Sequence, residues 1–147
     1  MTIRTAVVPL AEIHDLRWSV LRPGLPRPAA AFPEDDRPDT FHLAAYAGPA
    51  PAPLACITVF PDPLPDAPHA FRFRGMASAP SARGQGYGAA VLAAATTEST
   101  RRGATHLWCN GRAAALPFYA SQGFTVSGPP FDIPGIGEHF VLVRGMD

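Results

Sequence analysis

Arg83-Gly84-Gln85-Gly86-Tyr87-Gly88, running directly into the alanine-rich stretch Ala89 to Arg102, is the passage on which the fold turns. Alanine is the best helix former, Arg101 and Arg102 complement the negative end of a helix dipole, and Gly103 suits the position just past it. Residues 89–102 are therefore read as a helix. Glycines immediately before a helix let main-chain N–H groups approach a ligand closely, and the helix start adds unpaired donors and positive dipole charge. Such a segment suits a phosphate or pyrophosphate, with Arg83 beside it; a plain tight turn would carry the same glycines. The alternating spacing fails the G-x-G-x-x-G dinucleotide pattern, and a Walker loop needs a lysine that this chain does not contain.

Upstream of this passage, Ala70 to Met76 alternates like a strand, with Pro80 closing the segment. Phe41 to Ala47 and Leu54 to Phe60 read as two further strands joined by the proline-rich connection 48–53. The chain opens with a β-branched strand, Ile3 to Val8, and then Ala11 to Leu21 places Ile13, Leu16 and Val20 at helical spacing. Residues 22–39 hold five prolines, which remove donors and fix φ, so an ordered but irregular loop is expected. Downstream come a strand at Thr105 to Cys109, a short helix at Ala114 to Gln122, and strands at Phe124 to Val126 and His139 to Val143. The order β-α-β-β-β-α-β-α-β-β predicts an α/β domain with a mixed sheet.

At 147 residues the chain has the length of one domain, and no boundary or repeat divides residues 1–147. Its formal net charge of +0 gives no electrostatic footprint for nucleic acid or a membrane surface. All 12 basic residues are arginine, so no chemistry needing a lysine amine is open to it. Cys56 and Cys109 lack metal or CxxC spacing and read as buried thiols in a reducing cytoplasm. No segment suits a signal peptide or a membrane span, no metal is expected, and a cytoplasmic location is expected.

Two motifs resemble one family. Arg83-x-x-Gly86-x-Gly88 is similar to the pyrophosphate loop of the GNAT family of N-acetyltransferases, and Pro80 stands three residues ahead of it, as is common there. Phe118-Tyr119-Ala120-Ser121-Gln122-Gly123-Phe124 resembles the family's F/L-Y-x-x-x-G-F signature. The resemblance covers the whole chain and is most specific from Phe71 to Phe124. It implies a mostly antiparallel central sheet with flanking helices, acetyl-CoA as cosubstrate, and acetyl transfer to a primary amine by direct attack. It implies that Met76, Ala77 and Ser78 pair with the pantetheine amides like an added strand, and that an N–H near Met76 or Ala77 polarises the thioester carbonyl. Residues Arg83, Gly84, Gln85, Gly86, Tyr87, Gly88 and Ala89 would hold the pyrophosphate, and Tyr119 would protonate the leaving thiolate.

The chain departs from that pattern in places. Many members carry an asparagine where Arg112 stands; Asn110, two residues earlier, could reach the pantetheine arm or cap the helix that follows. No carboxylate occupies the fifth strand, so a general base must come from elsewhere or from water. His139 can accept a proton near neutral pH, with Asp132 or Glu138 orienting it or binding a cationic acceptor; a surface turn and a rim histidine would look the same. His14, Trp18 and Arg22 share one helical face and could line the acceptor pocket, or serve helix packing. The acceptor expected is a small amine or an amino acid, with a protein amine as the other candidate; a homodimer is open. The alternative is a non-catalytic acyl-CoA-binding or sensing module.

Overall fold

Phe41–Ala47 and Ala55–Pro61 are apolar at nearly every position, as strands covered on both faces must be. In the computed structural model, which describes residues 2–146, both are buried almost throughout. The terminal residues 1 and 147 of the expected domain lie outside the described residues. The strands are β1 Ile3–Val8, β2 Phe41–Ala47, β3 Ala55–Pro61, β4 Ala70–Ser78, β5 His106–Arg112, β6 Thr125–Ile133 and β7 Gly137–Gly145. The helices are α1 Leu10–Leu21, α2 Tyr87–Arg101 and α3 Leu116–Ser121. This is the element order expected from sequence, in one sheet of order β1-β2-β3-β4-β5-β7-β6. Every neighbouring pair is antiparallel except β4 and β5, which α2 joins as a crossover.

The two helices divide the core. Tyr87, Val91, Leu92, Ala95 and Ser99 form the buried face of α2. That face packs on Leu43, Ile57, Val59, Phe71 and Phe73. On the opposite face of the sheet, Ile13 of α1 packs on Ala44, Tyr46, Cys56 and Ala77. The alternation of β2 and β3 residues between these two clusters is the period-2 geometry of a strand.

The proline-rich segment after α1 is the ordered loop expected there, and it contains two short 3₁₀ turns, Arg27–Ala30 and Pro33–Asp36. Arg17 of α1 holds it. Its fully buried guanidinium donates from Nη1 to Ala30 O at 3.0 Å and to Asp35 Oδ2 at 2.7 Å, and from Nη2 to Asp35 Oδ1 at 3.1 Å and to Thr58 Oγ1. It also lies over the Phe32 ring, 4.0 Å from the centroid. His42 Nδ1 completes the set, 2.8 Å from Thr58 Oγ1.

A bulge in β4 faces this network. Cys56 pairs with Ala77 but Thr58 with Arg74, so Gly75 and Met76 oppose the single residue Ile57. Gly75 has φ +66°, and a Cβ there would fall 2.6 Å from Phe32 Cε2. Gly75→Ala is accordingly expected to cost about 1–3 kcal/mol, from backbone strain and overlap together. Thermal unfolding checks this: Tm should fall by several degrees, and an unchanged Tm would mean that the bulge admits a side chain.

Candidate active site

β4 and β5 run side by side only from Ala70↔His106 to Arg72↔Trp108. Beyond Arg72 the β5-facing edge of β4 has no strand partner, although β3 still pairs with β4 as far as Ser78. The splay leaves the β5-facing main-chain groups between Phe73 and Ser78 without a strand partner. Two clefts open there. A smaller one of about 460 Å³ runs between the end of β4 and the start of α2, lined by Met76, Ala77, Ser78, Arg83, Gly84, Gly86, Tyr87, Gly88 and Ala89. A larger one of about 790 Å³ reaches across β5 to the β6–β7 hairpin, and Asn110, Tyr119 and His139 line it. Val20, Leu21 and Met76 belong to both walls, so the clefts meet at the splayed strand.

The glycine loop has the geometry that close approach requires. Gly84 and Gly86 have φ +77° and +94°, and Gly86 precedes the first helical residue, Tyr87. The first helical hydrogen bond, Ala90 N–H to Gly86 O at 3.0 Å, leaves the N–H groups of Gly88 and Ala89 without an acceptor within the helix. A Cβ on Gly88 would lie 3.2 Å from Ser78 Oγ, so a side chain there would narrow the passage between strand and helix. Arg83 is exposed and, among the described residues, makes no ion pair or side-chain hydrogen bond. The Gln85 side chain turns back to Ser81 O at 3.2 Å and does not line the cleft, while the Tyr87 ring belongs to the core. Cradle, free donors and cation fit a diphosphate.

Tyr119 reaches the larger cleft from α3. Pro117 sits in the first turn of that helix, where its missing N–H costs little. The Tyr119 ring packs against Phe73, Phe118 and Phe124 at centroid distances of 6.0, 5.4 and 5.9 Å. Gly111 makes room for it: a Cβ there would fall 3.1 Å from Tyr119 Cε2 and 2.7 Å from Leu142 Cδ1. The hydroxyl lies near the Cys109 thiol on β5. Burial first, and Cys109 second, push the Tyr119 hydroxyl well above the usual phenol range. Burial likewise pushes the Cys109 thiol up to about 12, so neither group ionises near neutral pH.

Several expectations require correction. Asn110 is not a helix cap: Arg112 and Ala115 stand at the two cap positions that follow, and neither makes a side-chain cap. Asn110 lies within β5 opposite Val141 and lines the larger cleft. Residues 131–139 form a hairpin, with Phe131↔His139 and Asp132↔Glu138 as cross-strand pairs. Asp132 and Glu138 are exposed and line neither cleft, so they neither orient His139 nor meet an acceptor in the larger one. His139 is buried instead, and its Nδ1 lies 2.9 Å from Gly137 O. With Nδ1–H donated to that carbonyl, Nε2 is the nitrogen left to accept a proton. Of the α1 trio only Arg22 lines the larger cleft. His14 is buried elsewhere, and Trp18 donates from Nε1 to Leu25 O at 2.7 Å, steadying the proline-rich turn.

Sequence reasoning missed Arg72 and Arg74, which also line the larger cleft. Alternation along β4 places both on the face opposite Phe71 and Phe73, a signal the sequence did contain.

Residues 10–124 match the acetyltransferase (GNAT) family. The uncharacterized N-acetyltransferase YitI of Bacillus subtilis (strain 168) is 29% identical over 142 residues, 97% of this chain and 95% of that protein. A crystal structure from Lactobacillus plantarum, of a protein assigned to the N-acetyltransferases, aligns over 99% of both chains at TM-score 0.80 and 23% identity. The NatC complex bound to Gag peptide and CoA contains a chain that aligns over 100% of both chains, with TM-score 0.77 and 18% identity. With the motifs, the splayed sheet and the family match in agreement, this chain belongs to the GNAT family and is an N-acetyltransferase.

Proposed function

We propose that residues 1–147 act as a single cytoplasmic domain that moves an acetyl group from acetyl-CoA to a primary amine by direct attack. The observation that carries this reading is the junction of the two clefts at Met76, with Tyr119 lining the larger one. Arg83 and the main-chain N–H groups of the loop and first helical turn, Gly84 to Ala89, hold the pyrophosphate. Gln85 and Tyr87 contribute through the main chain. Met76, Ala77 and Ser78 offer the free strand edge to the pantetheine amides, and Asn110 reaches the same arm from β5. The NatC neighbour shares this fold in a complex bound to CoA, which supports the choice of acetyl-CoA as cosubstrate.

The acetyl group enters the site as an activated thioester, and the rest of the chemistry is the protein's. An N–H near Met76 or Ala77 takes the charge that develops on the carbonyl oxygen. The amine nitrogen forms a bond to the carbonyl carbon as the C–S bond breaks. Tyr119 gives its hydroxyl proton to the departing sulfur and regains one from solvent. The proton lost by the amine passes to water or to His139 Nε2, so the products are an amide and a free thiol. The raised proton affinity of Tyr119 is no obstacle, because burial raises that of a thiolate leaving into the same cleft as well.

Calorimetry with coenzyme A and acetyl-CoA, beside an assay of thiol release on a panel of small amines and peptides, tests the proposal. Saturable binding with amine-dependent release is expected. Gly88→Val should weaken coenzyme binding by about ten- to a hundredfold, the worth of one or two charge-assisted hydrogen bonds. A protein with no affinity for coenzyme A would overturn the reading. Binding without turnover on any amine would leave a sensing module.

A further inference from the structure

Among the described residues, the larger cleft is lined by four arginines, Arg22, Arg72, Arg74 and Arg112, and by no aspartate or glutamate. Only one of the four has a close carboxylate. Arg74 Nη1 donates to Glu34 Oε1 at 2.8 Å, whereas Arg72 Nη1 is 3.9 Å from Asp62 Oδ2, beyond hydrogen-bonding distance. The Arg72 Nε is buried with no hydrogen-bond partner. Arg22 donates only to Leu21 O, at 2.9 Å, and Arg112 has no side-chain hydrogen bond or ion pair among the described residues. Even with Glu34 and Asp62 set against them, the cations exceed the carboxylates by two.

Their placement bears on catalysis. Arg72 is the last β4 residue paired with β5, at the mouth of the splay, and Arg112 ends β5 on the same sheet face, directly opposite His139. Arg22 and Arg72 are half-buried and Arg112 is exposed; a guanidinium partly shielded from water gains most from an anion that joins it, and the field of all three repels a cationic ligand.

We propose that the acceptor amine carries an anionic group, a carboxylate or a phosphate, and that Arg22, Arg72 and Arg112 bind it while the amino group faces the splayed strand. This rests on the acetyl-transfer reading above and names its substrate class. A guanidinium fork binds either oxyanion in two-point fashion, and each such contact is worth roughly tenfold in affinity or more.

The test uses matched acceptors: free amino acids, their α-amides and the corresponding decarboxylated amines, with phosphoethanolamine set against ethanolamine. The anion-bearing member of a set should have a kcat/KM higher by about tenfold or more, through KM, with the advantage shrinking as salt is raised. Whether the acids or phosphoethanolamine gain more distinguishes carboxylate from phosphate. Arg112→Gln and Arg22→Gln should each erode the preference, with coenzyme A affinity measured alongside as the check on folding. Equal use of acids, amides and decarboxylated amines, with coenzyme A still bound, overturns this inference and leaves acetyl transfer standing. Loss of coenzyme A binding in the wild type would sink acetyl transfer first. If coenzyme A binds and none of these amines is acetylated, calorimetry on the coenzyme-saturated protein decides: acids binding no better than their amides, and phosphoethanolamine no better than ethanolamine, overturns the proposal.

Discussion

Tyr119→Phe is expected to lower kcat by about a hundredfold or more while coenzyme A affinity changes little. The phenyl ring keeps the contacts with Phe73, Phe118 and Phe124, so what disappears is the hydroxyl alone. The direction of the titration shift sets the pH signature. Because burial holds the proton on Tyr119 above the ordinary phenol range, the wild type should show no alkaline loss from this group below about pH 10. Stopped-flow or steady-state thiol release across pH 6–10 measures both effects. A variant within threefold of wild-type kcat would remove Tyr119 from proton transfer and leave it as a packing residue.

Arg17→Met is expected to destabilise the fold by about 3–5 kcal/mol, because it leaves the Asp35 carboxylate buried without its cation. For a protein of this size that corresponds to a fall in Tm on the order of 10 °C. The acid side of the stability profile follows from the same network. Burial alone would raise the Asp35 carboxyl, but hydrogen bonds from Arg17 and from the Phe32 N–H outweigh it and hold it below the usual range. Its contribution is therefore present at neutral pH and lost as pH falls through that depressed value. His42 acts in the same direction: burial lowers its affinity for a proton, so below about pH 6.5 the unfolded chain gains protons the fold refuses. Tm should fall below about pH 6.5 through His42 and again below about pH 4 through Asp35, and Arg17→Met should blunt the second fall. A variant that melts with the wild type would show that the pair is replaceable by solvent.

The parts of the structure written in local sequence were readable in advance. The helix after the glycine loop and the Phe118 to Phe124 signature depend on near neighbours, so their spacing carried them. The Arg17 network was not readable, since its partners at Ala30, Asp35 and Thr58 come from two turns and a strand. Nothing near position 17 distinguishes that arginine from an exposed one on an amphipathic helix. The last hairpin was readable in part: its strands were expected at Phe124 to Val126 and His139 to Val143, but Gly128-Pro129-Pro130 resembles loop sequence and hid the second paired run of β6, Phe131 to Ile133, while Pro134-Gly135 does form the turn. The cationic lining of the larger cleft was legible in part, because the departure at Arg112 stood out. Arg72 and Arg74 needed the splay of the strands before their position acquired meaning.

Those prolines in β6 also shape how copies of the protein meet. β6 is the outermost strand of the sheet, and its register breaks between Ser127 and Phe131, where neither Pro129 nor Pro130 has an N–H to offer. An approaching backbone would find two short runs, Thr125–Ser127 and Phe131–Ile133, on either side of a gap that cannot donate. Ribbon-like growth from this rim is thereby disfavoured.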